Sequence, residues 1–409
     1  MKVERNGVTN GQGGRVTIRP ARGTRPANRR ELIVAAAADL FYRNGYANVS
    51  MSDIADAVAI GPSALYRHFR SKETLLATVV GDALVEMQDA LAATLADPAG
   101  DISETLAALG LRNRPAGVLW QREGRYLAAD TRTELRRQTR TAGERIAAVV
   151  RRQRPELSET GADLLAWCAL AIAQSISYHS LHLPIADFRA TLAAMIDAAV
   201  DTALPALDPV PAVKASRGVL RAPTRRETIL IEATRLFAEQ GFSNVSLDDV
   251  GVAIGASGPS IYNHFAGKSD ILLAAMHRGE EWLQMDMTRS LARASGPQDA
   301  LIGLLRNYVT FTFDNPHLVQ LISSELLHLP SDERERARAA QHTYIGEWVY
   351  LLEQVHPEWD NTHARIRVLA VQIMMNHIAL TPHLRRFSSV DSVLMSIGAS
   401  LLEVDPEPA

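Results

Sequence analysis

The chain repeats itself. Residues 29–72 align without a gap on residues 225–268, with identity at roughly 17 of 44 positions, and self-similarity on that scale marks a copied structural unit. The shared frame is Arg-Arg-Glu at 29–31 and 225–227, Leu-Phe at 40–41 and 236–237, Gly45 and Gly241, and Asn-Val-Ser at 48–50 and 244–246. It continues with Asp53 and Asp249 and closes on Tyr-x-His-Phe at 66–69 and 262–265, with Lys72 and Lys268 three residues further on. A fainter echo follows, Arg114-Pro115 ahead of Glu123 and Leu127 against Asn315-Pro316 ahead of Glu325 and Leu329. The whole unit was therefore copied, and any fold proposed for one half has to serve the other.

Length and composition agree with two domain sets. At 409 residues and 47% hydrophobic the chain exceeds one ordinary core. Its single cysteine, Cys168, cannot form an intrachain disulfide, so stability comes from burial and the chain suits a reducing compartment. The N-terminus is polar and rich in Gly and Arg, without the apolar core of a signal peptide. The best apolar run, 164–173, is about half a membrane span, so the expectation is a cytoplasmic protein with no membrane partner. A formal charge of -3 does not announce nucleic-acid binding, but a whole-chain sum hides clustering: Arg15, Arg19, Arg22, Arg25, Arg29 and Arg30 crowd the start.

Leu32, Ile33, Ala36, Ala37, Leu40 and Phe41 fall at helical spacing over 31–43, and Gly45 supplies a stop. Ser50 stands before a second short helix with Asp53 three residues on, the spacing of a capping pair, and Ser246 with Asp249 repeats it. Gly255-Ala256-Ser257 reads as a tight turn and a capping serine, with Pro259 in the first turn of a third helix that ends at Phe265. No stretch alternates as a strand. Prolines 205, 209, 211 and 223 lie in a segment too poor in apolar side chains to bury a core, which reads as a linker.

A long helix, a short helix, a tight turn and another short helix ending Tyr-x-His-Phe-x-x-Lys, present twice, resembles the DNA-binding unit of the TetR family of bacterial regulators. The resemblance is strong over both units of about 45 residues and general over the helical regions after them. It implies an all-α chain of two tandem units, each a helix-turn-helix domain followed by a helical effector domain. The expected divisions are a disordered basic arm (1–25), a first helix-turn-helix domain (26–87), effector domain (88–204), linker (205–220), second helix-turn-helix domain (221–283) and effector domain (284–405). The resemblance also implies that the third helix of each unit, 62–69 and 258–265, lies in the major groove of double-stranded operator DNA, that the tyrosine and lysine contact phosphates, and that two units share one operator. The last two helices of each effector domain would form a four-helix contact, mapping to 162–183 with 188–203 and 362–380 with 390–404.

Only the outer face of a groove-bound helix reaches base edges. In copy one that face is Pro62, Ser63, Ala64, Arg67 and His68, with Arg67 suited to guanine and Ala64 to a thymine methyl. Arg29, Ser50, Ser52, Tyr66 and Lys72 are suited to phosphates. In copy two the face is Gly258, Pro259, Ser260, Asn263 and His264, backed by Arg225, Ser246, Ser257, Tyr262 and Lys268. Asn263 favours adenine where Arg67 favours guanine, so the operator is an imperfect palindrome. Ala266 replaces Arg70 and Asp248 replaces Ser52, which weakens copy two on the backbone. Ala59 stands where the family and copy two place a turn glycine (Gly255); if that position needs positive φ, alanine strains it. The N-terminal arginines either follow a neighbouring groove or form a solvated tail, and each tyrosine either meets phosphate or packs beneath its helix.

The effector regions offer composition rather than motifs. Trp120, Glu123, Tyr126, Trp167 and Tyr178 in copy one, and Phe311, Glu325, Trp348, Met374 and Met375 in copy two, are candidates for lining apolar pockets, although bundles of this length bury such residues anyway. Glu123 and Glu325 either greet a polar ligand group or pair with an arginine such as Arg122 or Arg125. Histidines 179, 182, 377 and 383 lack ligand-spaced partners, so no metal and no cofactor is expected. No nucleophile with a partnered base and no glycine-rich phosphate loop argues for an enzyme. The expected function is that of a ligand-responsive repressor, with an architectural DNA binder or a regulator carrying one vestigial reading head as alternatives. Tandem chains of this size resemble actinobacterial repressors of lipid-uptake and sterol operons, which implies an apolar small-molecule effector. The linker makes an intramolecular pseudo-dimer possible, with pairing of two chains left open.

Overall fold

A computed structural model describes residues 28–205, 207, 224–256 and 258–405. The described residues are helical almost throughout and contain no strand. The first copy comprises α1 (Arg29–Asn44), α2 (Met51–Ala57), α3 (Pro62–His68), α4 (Lys72–Ala96), α5 (Ile102–Arg112), α6 (Arg114–Glu123), α7 (Ala129–Gln153), α8 (Glu159–Ser175) and α9 (Ile185–Val200). The second repeats them as α10 (Arg225–Gln240), α11 (Leu247–Ala253), α12 (Gly258–Ile261), α13 (Lys268–Arg293), α14 (Pro297–Asp314), α15 (Pro316–Ser324), α16 (Ser331–Val355), α17 (Asn361–Ala379) and α18 (Val390–Leu402).

Local chemistry sets the helix ends. α1 buries Ile33, Ala36, Ala37 and Phe41 on one face and stops at Gly45, whose φ of 79° is open to glycine at no steric cost. α2 and α11 each open on a full capping box: Asp53 N–H donates to Ser50 Oγ at 3.1 Å while Ser50 N–H donates to the Asp53 carboxylate at 2.8 Å, and Ser246 with Asp249 does the same. Between α2 and α3 the backbone turns through Ala59 at φ 55°, and between α11 and α12 through Gly255 at φ 64°. Position 59 therefore does hold the left-handed conformation, at a cost to alanine of about 1–2 kcal/mol.

Two expected divisions lie within helices, and one helix ends early. The divisions at 87/88 and 283/284 fall inside the continuous helices α4 and α13, so each reading head and its effector region share an unbroken rod of helix. The third helix of copy two ends at Ile261 rather than near Phe265. Its Gly258, Ser260 and Asn263 are weaker helix formers than the Ala64, Leu65 and Arg67 of the seven-residue α3. The arm at 1–25, Ser257 and nearly all of the linker lie outside the described residues.

Three hydrophobic clusters form. One fills the first reading head, with Ile33, Phe41, Ile54, Leu65 and Phe69, and a second fills the other with Ile229, Phe237, Val250, Ile261 and Phe265. The third runs through both effector regions: Leu165, Cys168 and Ile172 of α8 share it with Val368, Val371 and Met375 of α17, flanked by Ile196 of α9 and Ile397 of α18. α8 packs along α17 and α9 against α18, so the helix pairs mapped from the resemblance meet within a single chain. Among the described residues no helix is long and apolar enough to cross a membrane.

Candidate nucleic-acid interface and the cavity behind it

α3 is held by its inner side and presents its outer one. Leu65 and Phe69 are buried, whereas Pro62, Ser63, Tyr66, Arg67 and His68 are exposed and Ala64 is half-buried. Tyr66 is 52% exposed, which places its ring on the surface instead of beneath the helix. Ser52 is exposed on α2 beside it, and Arg29 opens α1 half-buried. In copy two Tyr262 (60%) and Asn263 are exposed, Ser260 and His264 are half-buried, Gly258 is buried, and Arg225 is exposed at the start of α10. Pro259 lies in the first turn of α12, where its missing N–H breaks no helical bond.

Four of the residues expected at phosphates have partners within the protein. The Ser50 hydroxyl both accepts from Asp53 N–H and donates to the Asp53 carboxylate at 2.8 Å, and Ser246 Oγ does likewise at 2.6 Å, so these serines act as caps with no proton to spare. Lys72 donates to the carbonyls of Tyr46 (2.7 Å) and Val49 (2.8 Å), with its ammonium 4.2 Å from the Tyr46 ring centre. Lys268 donates to Phe242 O at 2.7 Å, 4.3 Å from the Phe242 ring centre. Burial lowers both ammonium pKa values, and the two lysines tie the α1–α2 and α10–α11 loops to the start of the next long helix.

The heads differ in charge as well as in length. Asp248 packs so closely over the start of α12 that a Cβ on Gly258 would lie 1.8 Å from its Oδ1. A carboxylate thus stands where copy one offers a serine hydroxyl.

Behind each head lies a buried glutamate: Glu123 clasps the end of α1 directly, and Glu325 holds the arginine that covers the end of α10. Glu123 is 3% exposed; its Oε1 pairs with Arg122 Nε at 2.7 Å and accepts from Tyr46 N–H at 3.3 Å. Arg122 in turn donates to Phe41 O at 3.2 Å and Tyr42 O at 3.4 Å, satisfying carbonyls at the end of α1. Glu325 is fully buried, and its arginine comes from the other copy: both Arg125 guanidinium nitrogens bond its carboxylate, the second at 3.3 Å. Arg125 also covers Gly241, where an added Cβ would lie 3.0 Å from its Cδ, while Leu327 covers Gly45 in the reciprocal contact. Pairing with arginine, the second of the two readings left open for these glutamates, is what the structure places there.

Copy one contains a small, partly open apolar cavity of about 50 Å³ between α4, α5, α6, α7 and α8, with Trp120, Leu106, Gly117, Ala173, Gln174 and Ser177 among its walls. Of the expected pocket residues only Trp120 lines it. Tyr126 stacks on Tyr46 at 5.0 Å, Trp167 bonds Asp163 and meets His383 edge-on, and Tyr178 lies 3.1 Å from His377 Nε2 across the contact between copies. Phe311, Trp348, Met374 and Met375 are core. Aromatic content identified large side chains but not the face of the bundle they occupy. Gln174 and Ser177 were not singled out; their one signal is that they are polar residues closing the apolar run of α8.

The histidines pack. His377 is 3.2 Å from Gln121 Oε1 in the seam between copies, and burial pushes its pKa down to about 4. His179 is pushed down to about 3 by burial and the neighbouring Arg114 charge. His383 lies 3.2 Å from Asp163 across the same seam. Among the described residues no cluster of metal-ligating side chains occurs.

The profile of the bacterial regulatory proteins of the tetR family matches at residues 33–79 and again at 229–275. The chain carries the DNA-binding domain of the TetR family twice. Among its relatives are the HTH-type transcriptional regulator BetI of Agrobacterium fabrum, 29% identical over 92 residues (22% of this chain, 44% of the relative), and LmrA of Bacillus subtilis, 26% over 131 residues (32% and 69%). The transcriptional repressor KstR2 of Mycolicibacterium smegmatis is 37% identical over 65 residues, 16% of this chain and 32% of that protein. The chain thus spans less than half the length of BetI and of KstR2. Solved TetR-family regulators from Bordetella parapertussis (TM-score 0.41, 19% identity, 45% of this chain and 96% of that one) and Thermus thermophilus (0.39, 21%, 46% and 100%) are similar.

Proposed function

We propose that the chain is a cytoplasmic, ligand-responsive transcriptional regulator, acting as a repressor, whose two reading heads occupy the unequal halves of one operator from a single polypeptide. The observation that carries this reading is the packing of α8 and α9 on α17 and α18, which joins the copies through one core. Reciprocal contacts, Gly45 with Leu327 and Gly241 with Arg125, have the form of a two-fold interface. A covalent link between the halves removes the concentration dependence of ordinary dimer formation. Copy one carries most of the affinity, since copy two has a shortened α12 and an acidic residue at its start.

Ligand control follows from the same contacts. Trp120 walls the cavity and lies on α6, whose C-terminal Arg122 and Glu123 hold the end of α1. A molecule that parts the cavity walls shifts α6 and with it the first head, releasing DNA if it binds the shifted state better.

Footprinting on DNA upstream of the chain's own gene tests the reading. It predicts protection of two unequal half-sites, with Arg67→Ala relaxing a guanine in one and Asn263→Ala an adenine in the other, each by about 1–3 kcal/mol of discrimination. Unchanged footprints in both variants would contradict it. Loss of nothing but the copy-one half-site in Arg67→Ala, with Asn263→Ala silent, favours the second reading, a regulator with one vestigial head, for which the short α12 speaks.

A further inference from the structure

We infer that the chain takes one ligand, in the cavity of copy one, and that this ligand is a neutral apolar molecule carrying a hydrogen-bonding oxygen, because copy two fills the matching space with its own side chains. This rests on the ligand-responsive reading above and narrows it.

The register that sets Glu123 on Glu325 also sets α5 on α14, α6 on α15 and α8 on α17 at their C-terminal ends or starts, so the walls compare residue by residue. Copy one lines its cavity with Leu106, Gly110, Ala116, Gly117 and Ala173. Copy two has Tyr308, Thr312, Leu318, Val319 and Met375 in those places, every one larger and every one buried. Behind them Tyr344 and Trp348 replace Ala142 and Ile146, and the rings of Tyr308, Tyr344 and Trp348 lie against one another at centroid distances of 6.1–6.4 Å. Packing of that kind leaves no room for a guest.

The polar groups say what the guest must bring. In copy two Asn376, the counterpart of Gln174, accepts a hydrogen bond from the Tyr308 hydroxyl at 3.1 Å. In copy one that tyrosine is Leu106, which has no hydroxyl to give. The Gln174 amide and the Ser177 hydroxyl, the latter 3% exposed, both line the cavity and have no hydrogen-bond partner among the described residues. Tyr308 therefore does in copy two what the ligand does in copy one: it fills an apolar space with a ring and pairs one amide, Asn376 there and the half-buried Gln174 here, with a hydroxyl. The cavity lining contains no charged side chain, so a carboxylate or phosphate would enter without a counter-charge. Arg112, which adjoins the lining residue Asn113, is paired with Glu86.

Calorimetric titration of the full chain with 4-hexylphenol and with 4-hexylbenzoate tests this, since the two have similar size and differ in charge at neutral pH. The expected result is one 4-hexylphenol per chain, at least tenfold weaker binding of the benzoate, about tenfold loss in Gln174→Leu, and no binding in Gly117→Val, which installs the copy-two residue. Should Gly117→Val fail to melt as a folded protein, Ala116→Leu serves the same purpose. Two molecules per chain, equal affinity for the benzoate, unaltered binding in the filled variants, or no binding of the phenol overturns the inference. A band shift run alongside separates it from the broader reading: one phenol bound without any DNA release upholds the inference and counts against ligand control, whereas release of DNA by two equivalents upholds ligand control and defeats the inference.

Discussion

Arg125 of the first copy and Glu325 of the second form a bidentate ion pair, 200 positions apart in sequence, while the aligned Glu123 is paired by Arg122 of its own copy. The Glu325 side chain is fully buried and that of Arg125 is 19% exposed. Where copy one has Arg122, copy two has Ser324, so the second clasp is complete only when the first copy is docked against it. Removing Arg125 leaves the buried Glu325 carboxylate with only Ser324 Oγ at 3.1 Å and His328 Nε2 at 3.4 Å beside it. Arg125→Ala is expected to cost about 3 kcal/mol or more in denaturant unfolding, and Arg125→Met with Glu325→Leu less than Arg125→Ala alone. A cost within about 0.5 kcal/mol for Arg125→Ala would show that the pair is solvated and the copies are not locked there.

Position 59 offers an opposite change. Ala59 holds φ 55° in a turn where copy two uses glycine. Ala59→Gly is expected to stabilise copy one by about 0.5–1 kcal/mol, the relief of left-handed strain less the greater entropy of glycine in the unfolded chain. Gly255→Ala should destabilise copy two. Thermal melts of both variants check the pair of signs.

The charge at the second head is a separate matter from its stability. Asp248→Ser removes the carboxylate beside the start of α12 and is expected to raise operator affinity about three- to tenfold and steepen its salt dependence; Ser52→Asp should do the reverse in copy one. Band shifts at two salt concentrations read both effects.

Acid should loosen the seam between the copies. His377 is held neutral by burial, with a folded pKa of about 4 against an ordinary value near 6.5. Between those values the unfolded chain binds the proton and the folded chain does not, so stability is full above about pH 6.5 and falls as pH drops towards 4. His377→Gln is expected to flatten that dependence, measured as the difference in Tm between about pH 7.5 and pH 5. An unchanged difference would place the acid sensitivity elsewhere, His179 being the other histidine pushed well down.

The duplication, the three helices of each head and their caps were legible because they rest on short-range chemistry: Ser50 with Asp53, Gly45 after Phe41, Leu65 and Phe69 on the inner side of α3. The end of α12 was not, since Tyr262-Asn263-His264 matches the copy-one frame while Gly258 and Ser260 weaken the helix beneath it. The internal partners of Lys72, the Tyr46 and Val49 carbonyls, were not legible because they are backbone groups that no motif names. The Arg125–Glu325 pair spans the two copies, and the sequence offered Arg122 as an equally close candidate. The cavity was hidden for a different reason: it is defined by what is small, Gly110, Gly117 and Ala173, whereas the large candidates Trp348, Met374 and Met375 fill the core.

The central claim is that one chain supplies both reading heads to one operator. Native mass spectrometry of the chain on its own upstream DNA, with Tyr66→Ala and Tyr262→Ala run in parallel, measures this directly. The account predicts one chain per duplex, weaker binding in both variants, and the larger loss in Tyr66→Ala. Two chains per duplex with Tyr262→Ala indistinguishable from the parent would contradict it.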